Sequence, residues 1–358
     1  MQAGRRRLTT IAGAAVGVLA LLAGVLYFTG TLQKWRDDSD LSRACKGAVD
    51  EDGVRAALGS GAVSAKDGTA SGEGTLTSCS MTARGGSASM AVEARWSSRN
   101  SAVATSLGRT SLATHTAEAT PLGSWPGVLT SDEGMARASV TLQCRNKDGE
   151  GLAVNSRLAR PGGSTEDAAA RTAFARATIG IAEKAADVFG CDYRPAGDIQ
   201  RLPAAPSTDP VALSTAGGTC AALKPLAASA QKRGLPRAWE TEATGKAPIE
   251  DCVLASPDGK RPGYRLSAYY GSYARSFAEI PEVKSVLRDA EYRSKSAPPV
   301  AHAQCPGSPE RALYTVSEIV SGGSSPVKHP DRAFETDALT AFAKQSAKQH
   351  GCVAPATP

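Results

Sequence analysis

The feature that most constrains this chain is the placement of its eight cysteines, which fall into two quartets of nearly the same spacing. Cys45, Cys79, Cys144 and Cys191 are 34, 65 and 47 residues apart; Cys220, Cys252, Cys305 and Cys352 are 32, 53 and 47 apart. Other marks recur in the same register. Gln143 and Gln304 precede the third cysteine of each quartet, and Gly190 and Gly351 precede the fourth. Gly59 and Gly234 each follow the first by 14 residues, and Gly86 and Gly259 each follow the second by 7. Spacing kept together with its punctuation reads as one module written twice, and gene duplication is its simplest source.

No two of these cysteines are close neighbours, so the C-x-x-C ligand pairs of a zinc site are missing and disulfides are expected. That chemistry places the chain in an oxidising compartment. Four cysteines allow three pairings in each module. The outer arcs keep their length while the middle one changes from 65 to 53 residues, which favours first with second and third with fourth. Each bond should contribute roughly 2–4 kcal/mol.

Local patterns make each module α+β: helices on a mostly antiparallel sheet. After the first cysteine, "CKGAVDEDGVRAALG" and "CAALKPLAASAQKRG" read as helices closed by glycine. Asp50, Glu51 and Asp52 suit a helix's first turn rather than calcium. Met90, Val92, Ala94 and Trp96 alternate in step with Tyr264, Leu266, Ala268 and Tyr270, the period of a strand with one buried face. Trp96 and Tyr270 are read as core. "GLAVNSRLA" and "RALYTVSEIV" give a further strand each, and "NKDGEG" a hairpin turn. In the first closing helix, Ser164 and Asp167 offer a capping box and Phe174, Thr178, Ile181, Ala185 and Val188 share a face; Leu339 and Phe342 do so in the second. Between the second and third cysteines the modules differ. "ATPLGSWPGVLTSDEG" reads as loop or an extra strand, and "SVLRDAEYRSK" as a helix.

Leu8 to Phe28 carries no charge and is long enough for a bilayer's hydrocarbon core, and Arg5, Arg6 and Arg7 place its N-terminal end in the cytoplasm. The expected order is a stub (1–7), a transmembrane helix (8–28), a stalk (29–40) that includes Asp38 and Asp40, a first module (41–195), a Pro/Ala/Gly-rich linker (196–217) and a second module (218–354). The chain is then a single-pass cell-membrane protein with its bulk outside. Residues 1–36 hold five of the 41 basic groups and no acidic one, leaving 36 against 35 beyond them. That near-neutral remainder lacks the basic stripe a phosphate backbone requires, so nucleic acid is not an expected partner.

The Ala/Gly/Arg-rich composition, the basic stub and the arrangement of cysteine, helix, glycine, "CSM" and strand resemble uncharacterised membrane-tethered, Cys-stapled ectodomain proteins of high-GC actinobacteria, of the Streptomyces type. The stapled module also resembles extracellular sensor modules of mycobacterial receptor kinases, although no kinase domain is present. The resemblance implies an envelope location and carries no catalytic residue.

Motifs for chemistry are sparse. "SPVK" and "SAQK" match S-x-x-K without the companion motifs of penicillin-binding enzymes. His115, His302, His329 and His350 are scattered and suit surface or capping roles. No cofactor or metal site is expected. What remains is a binding or sensing module whose partner is an envelope protein or cell-wall component. The alternative is an envelope hydrolase without a known motif, for which one His, one carboxylate and one Ser should converge in one module only. Trp125, in the module-specific "PLGSWPG", is the candidate partner contact; its other reading is a plug in its own core.

Overall fold

The computed structural model describes residues 31–356 apart from 71–73, 98–102, 104–105, 110–117, 133, 148–149, 289–298 and 321–323. The expected stub and span therefore lie outside the described residues. Among the described residues, no helix is long and apolar enough to cross a membrane.

Two antiparallel sheets form, and the strands Ile249–Ala255 and Pro262–Tyr269 at the middle of the second are buried on both faces. In the first half, β1 (Val63–Asp67), β2 (Thr75–Ala83), β3 (Ser89–Trp96), β4 (Thr120–Pro121), β5 (Gly127–Asp132), β6 (Met135–Gln143) and β7 (Gly151–Ala159) take the order β1-β2-β3-β7-β6-β5-β4. In the second, β8 (Val211–Ala212), β9 (Arg237–Glu240), β10 (Ile249–Ala255), β11 (Pro262–Tyr269), β12 (Val300–Gln304) and β13 (Arg311–Glu318) take the order β12-β13-β11-β10-β9-β8. Without β4, β5 and β8 the two orders correspond strand for strand, β1-β2-β3-β7-β6 with β9-β10-β11-β13-β12. The variable segment supplies the difference. It adds β4 and β5 to the first sheet, and the helices α5 (Gly271–Ala278) and α6 (Pro281–Arg288) to the second half.

One face of each sheet is covered by its own helices. Met90, Val92, Ala94, Val140, Leu152 and Val154 meet Phe174, Ile181 and Ala185 of α3 (Ala168–Phe189) in a single cluster. Tyr264, Leu266, Tyr314 and Val316 meet Phe334, Leu339 and Phe342 of α7 (Arg332–Gln349) in another. Val188 departs from the expected face and is 45% exposed. Asp167 caps α3 by accepting from the amides of Ala169 and Ala170, so the expected cap at Ser164 moves three residues on; the Ser164 hydroxyl accepts from the Asp167 amide. Both long helices close with glycine at positive φ, Gly190 at 66° and Gly351 at 67°. The following cysteine amides then reach back to Ala186 and Ala347 at 2.8 and 2.9 Å. These bonds satisfy carbonyls that a helix end leaves without partners, and they aim each cysteine at the sheet.

The pairing is first with second and third with fourth: Cys45–Cys79, Cys144–Cys191, Cys220–Cys252 and Cys305–Cys352. Each bond ties a helix-bearing segment to a strand of its own half.

Two further expectations need correction. From residue 31 on, the segment read as a stalk belongs to helix α1 (Thr31–Arg43), which docks on the first half: Leu41 is fully buried, and Asp37, 3% exposed, is held by Arg84 with Nη2 to Oδ1 at 2.6 Å. The Arg84 guanidinium keeps that carboxyl below its ordinary pKa. The first helix is also shorter than its pattern. Cys45 and Lys46 sit at φ 52° and 59°, which breaks the chain before α2 (Glu51–Leu58). In the second half a 3-10 turn, Ala221–Leu226, with Pro225 inside, precedes α4 (Ala227–Lys232). Gly86 and Gly259 both lie in turns between strands, as their spacing indicates, and the positive-φ glycines there are Gly85 and Gly259.

Candidate functional site

The linker is a docked strap. Ile199 and Leu202 are buried in the first core and Leu213 and Ala216 in the second, so the connection turns apolar side chains into both halves. Its course leaves a cleft of about 930 Å³. One wall is Pro121, Gly123 and Ser124, the other is Glu240 to Glu242 with Thr244, and the floor is linker from Asp198 to Pro206. Pro203, Ala204 and Pro206 make that floor apolar. Asp198, Asp209, Glu240 and Glu242 face Arg201 alone among the charged lining groups. Glu240 is already occupied, accepting from the amides of Gly217 and Gly218 at 2.8 and 2.9 Å. The remaining three carboxylates give the rim an excess of negative charge.

Trp125 stands behind this wall rather than on it. It is 3% exposed, its indole N–H donates to the Gly197 carbonyl at 2.6 Å, and its ring lies 6.3 Å from that of Tyr193. The tryptophan therefore plugs its own core and fixes the strap, while its neighbours Gly123 and Ser124 line the cleft. Trp96, at the end of β3, and Tyr270, which lies just past β11 as the N-cap of α5 rather than in the strand, both pack against their respective cores.

A serine, a histidine and a carboxylate do converge in the second half. Ser346 Oγ donates to Glu250 Oε2 at 2.5 Å, and His350 Nε2 lies 3.1 Å from Glu250 Oε1. Tyr270 stacks on His350 with centroids 3.6 Å apart and shares a 2.5 Å hydrogen bond with Ser346. The order is wrong for activating a nucleophile. The carboxylate sits between Ser and His, whereas a general base must itself reach the hydroxyl. Ser346 is also only 2% exposed. The cluster ties α7 to β10, and His350 is thus no surface histidine. Glu250 gave the sequence its one signal, a carboxylate beside Asp251 inside an apolar strand.

The faces of the sheets turned away from their helices meet each other. Val103, Leu107, Ala119, Val128 and Ala153 of the first half join Ile249, Tyr269, Tyr273, Phe277 and Leu313 of the second in a shared cluster. Tyr273 of α5 donates to the Ser139 carbonyl across this boundary at 3.0 Å. At its centre Arg109 pairs with Asp251; both side chains are fully buried. Asp251 also accepts from Ser267 Oγ at 2.6 Å and from the Ala119 amide at 2.7 Å. Burial works against both charges, but each holds the other ionised: Arg109 is raised and Asp251 lowered from their ordinary values. Glu118, 1% exposed, has less compensation, and burial pushes its carboxyl up to about 7. Spacing could not reveal these groups: Asp251 lies on the second face of β10, which reads as solvated unless another sheet is known to cover it, and Arg109 and Glu118 lie outside the strands. Among the described residues no group of three or more His, Cys, Asp or Glu is placed to hold a metal ion.

Comparison with family models, with curated proteins and with solved structures finds no match to this chain.

Proposed function

We propose that this chain is a non-catalytic binding module of the cell envelope, anchored by Leu8–Phe28 with its disulfide-bonded halves outside the membrane, and that its ligand occupies the cleft along the strap. The observation that carries this reading is the cleft itself, which both halves and the linker build together, with an apolar floor under a rim of unneutralised carboxylates. Such a surface complements a ligand with an apolar body and a cationic group, as an envelope peptide bearing Lys or Arg provides. The common strand order of the halves supports their origin by duplication, and four intra-half disulfides suit an oxidising exterior.

Calorimetric titration of the full chain in detergent tests the cleft. Short apolar peptides carrying Lys or Arg should bind, Glu-bearing counterparts should not, and Asp198→Asn with Glu242→Gln should weaken the cationic peptides severalfold. Equal binding of acidic and basic peptides, or an unaffected double variant, would overturn the assignment.

A further inference from the structure

The first sheet carries a second polar cleft on the face away from α3, apart from the strap. Register places Arg137 of β6 directly opposite Arg157 of β7. Their neighbours Ala136, Ala138 and Leu158 point into the helix-covered core, so period two turns both guanidinium groups to the other face. Like charges set directly opposite each other are unfavourable in a sheet. Burial, and then Arg157, lower the pKa of Arg137, with Asp132 acting in the opposite direction. Among the described residues neither guanidinium holds a hydrogen bond or an ion pair. The adjacent carboxylate, Glu93, is engaged by Arg95 at 2.5 Å.

Asn155 lies two residues before Arg157 on the same face and is 6% exposed, and neither its Oδ1 nor its Nδ2 has a partner. A buried amide without partners costs about 1–3 kcal/mol for each group left unmade. The three side chains line one cleft of about 360 Å³ together with Glu93, Ser106 and Gly108. Two destabilising features in one place, an unneutralised arginine pair and an unpartnered buried amide, are relieved together by one kind of molecule. An oxyanion satisfies the arginines with charge-assisted bonds. Asn155 asks for more, since one end of its amide donates and the other accepts whichever way it is turned. Phosphate ions offer mainly acceptors. A carboxylate with a nearby N–H offers both.

We propose that Arg137, Arg157 and Asn155 form a binding site for a small carboxylate flanked by an N–H donor, the chemistry of a peptide C-terminus. The arginines take the carboxylate, and the Asn155 amide pairs with the peptide N–H and an oxygen beside it.

The test is calorimetric titration of the full chain in detergent with N-acetyl-Ala-Ala, its C-terminal amide, its depsipeptide analogue with an ester oxygen in place of the final N–H, and inorganic phosphate. The free acid should bind, with the amide and phosphate at least tenfold weaker and the depsipeptide measurably weaker. Arg137→Gln and Arg157→Gln should each weaken the acid at least tenfold, and Arg157→Gln should raise the ligand-free Tm, which a purely structural arginine would lower. Asn155→Leu should abolish the preference for peptide over depsipeptide; should that variant not fold, the comparison on the unaltered chain decides the same point. Absence of saturable binding at millimolar acid, phosphate binding as tightly as the acid, equal affinity for peptide and depsipeptide, or undiminished binding in both arginine variants overturns the proposal.

Discussion

Arg109 Nη1 lies 3.0 Å from Asp251 Oδ1, and this fully buried ion pair joins residues 142 positions apart in two different halves of the molecule. The same guanidinium donates to the Tyr269 hydroxyl at 2.9 Å. Removing one partner leaves an uncompensated charge where water does not reach. Asp251→Ala should therefore cost about 3–5 kcal/mol in denaturant unfolding. A loss below about 1 kcal/mol would show that the halves do not meet as described.

Glu118 makes the same boundary sensitive to pH. Its folded pKa of about 7 lies above the ordinary carboxylate value, so between roughly pH 4.5 and 7 the folded chain binds more protons than the unfolded one. The contribution of this group is full at the acid end of that window and is lost as pH rises through about 7. The slope should reach at most about 1.4 kcal/mol per pH unit. Glu118→Gln should flatten it, and thermal unfolding measured from pH 5 to 8 reads the difference directly.

Trp125→Ala should lower stability by about 3–5 kcal/mol, the range for truncating a buried aromatic. It should also loosen the strap, because the indole N–H bond to Gly197 goes with it. Limited proteolysis within residues 196–217 should become faster in the variant. A stability change within about 0.5 kcal/mol would return Trp125 to the surface.

Non-reducing peptide mapping should recover four disulfide-linked pairs, none joining the two quartets. Replacing Cys144 and Cys191 together by Ser should cost roughly 2–4 kcal/mol. The protein should still bind N-acetyl-Ala-Ala if it folds, since the arginine pair lies elsewhere on the sheet. A linked peptide bridging Cys191 and Cys220 would refute the separation of the halves.

The anchor has its own measurement. Protease added to intact protoplasts should remove epitopes beyond residue 40 from a chain that fractionates with membrane. A soluble form beginning near residue 30 in the medium would contradict it.

What the sequence determined by itself is local and periodic. Glycine before cysteine ends a helix because it alone adopts the left-handed turn at little cost. Alternation along Met90–Trp96 and Tyr264–Tyr270 marks strands because successive side chains point to opposite faces. Similar outer arc lengths favoured the disulfide pairing among three possibilities, since a constrained loop tolerates little change between its ends. The tertiary structure decided whatever depends on which surfaces meet. Asp37 looked like stalk until Arg84 held it against the first half, and the cap of α3 moved to Asp167 once the whole turn was placed. His350, Glu250 and Ser346 are 100 and 96 positions apart in their contacts, and no sequence period spans such distances. The charged side chains on the second faces of the sheets were written as though for water. Only packing sent Asp251 of β10, with Arg109 from outside the strands, into a dry boundary, where a charge survives by finding its opposite, and left Arg137, Arg157 and Asn155 together beside a cleft.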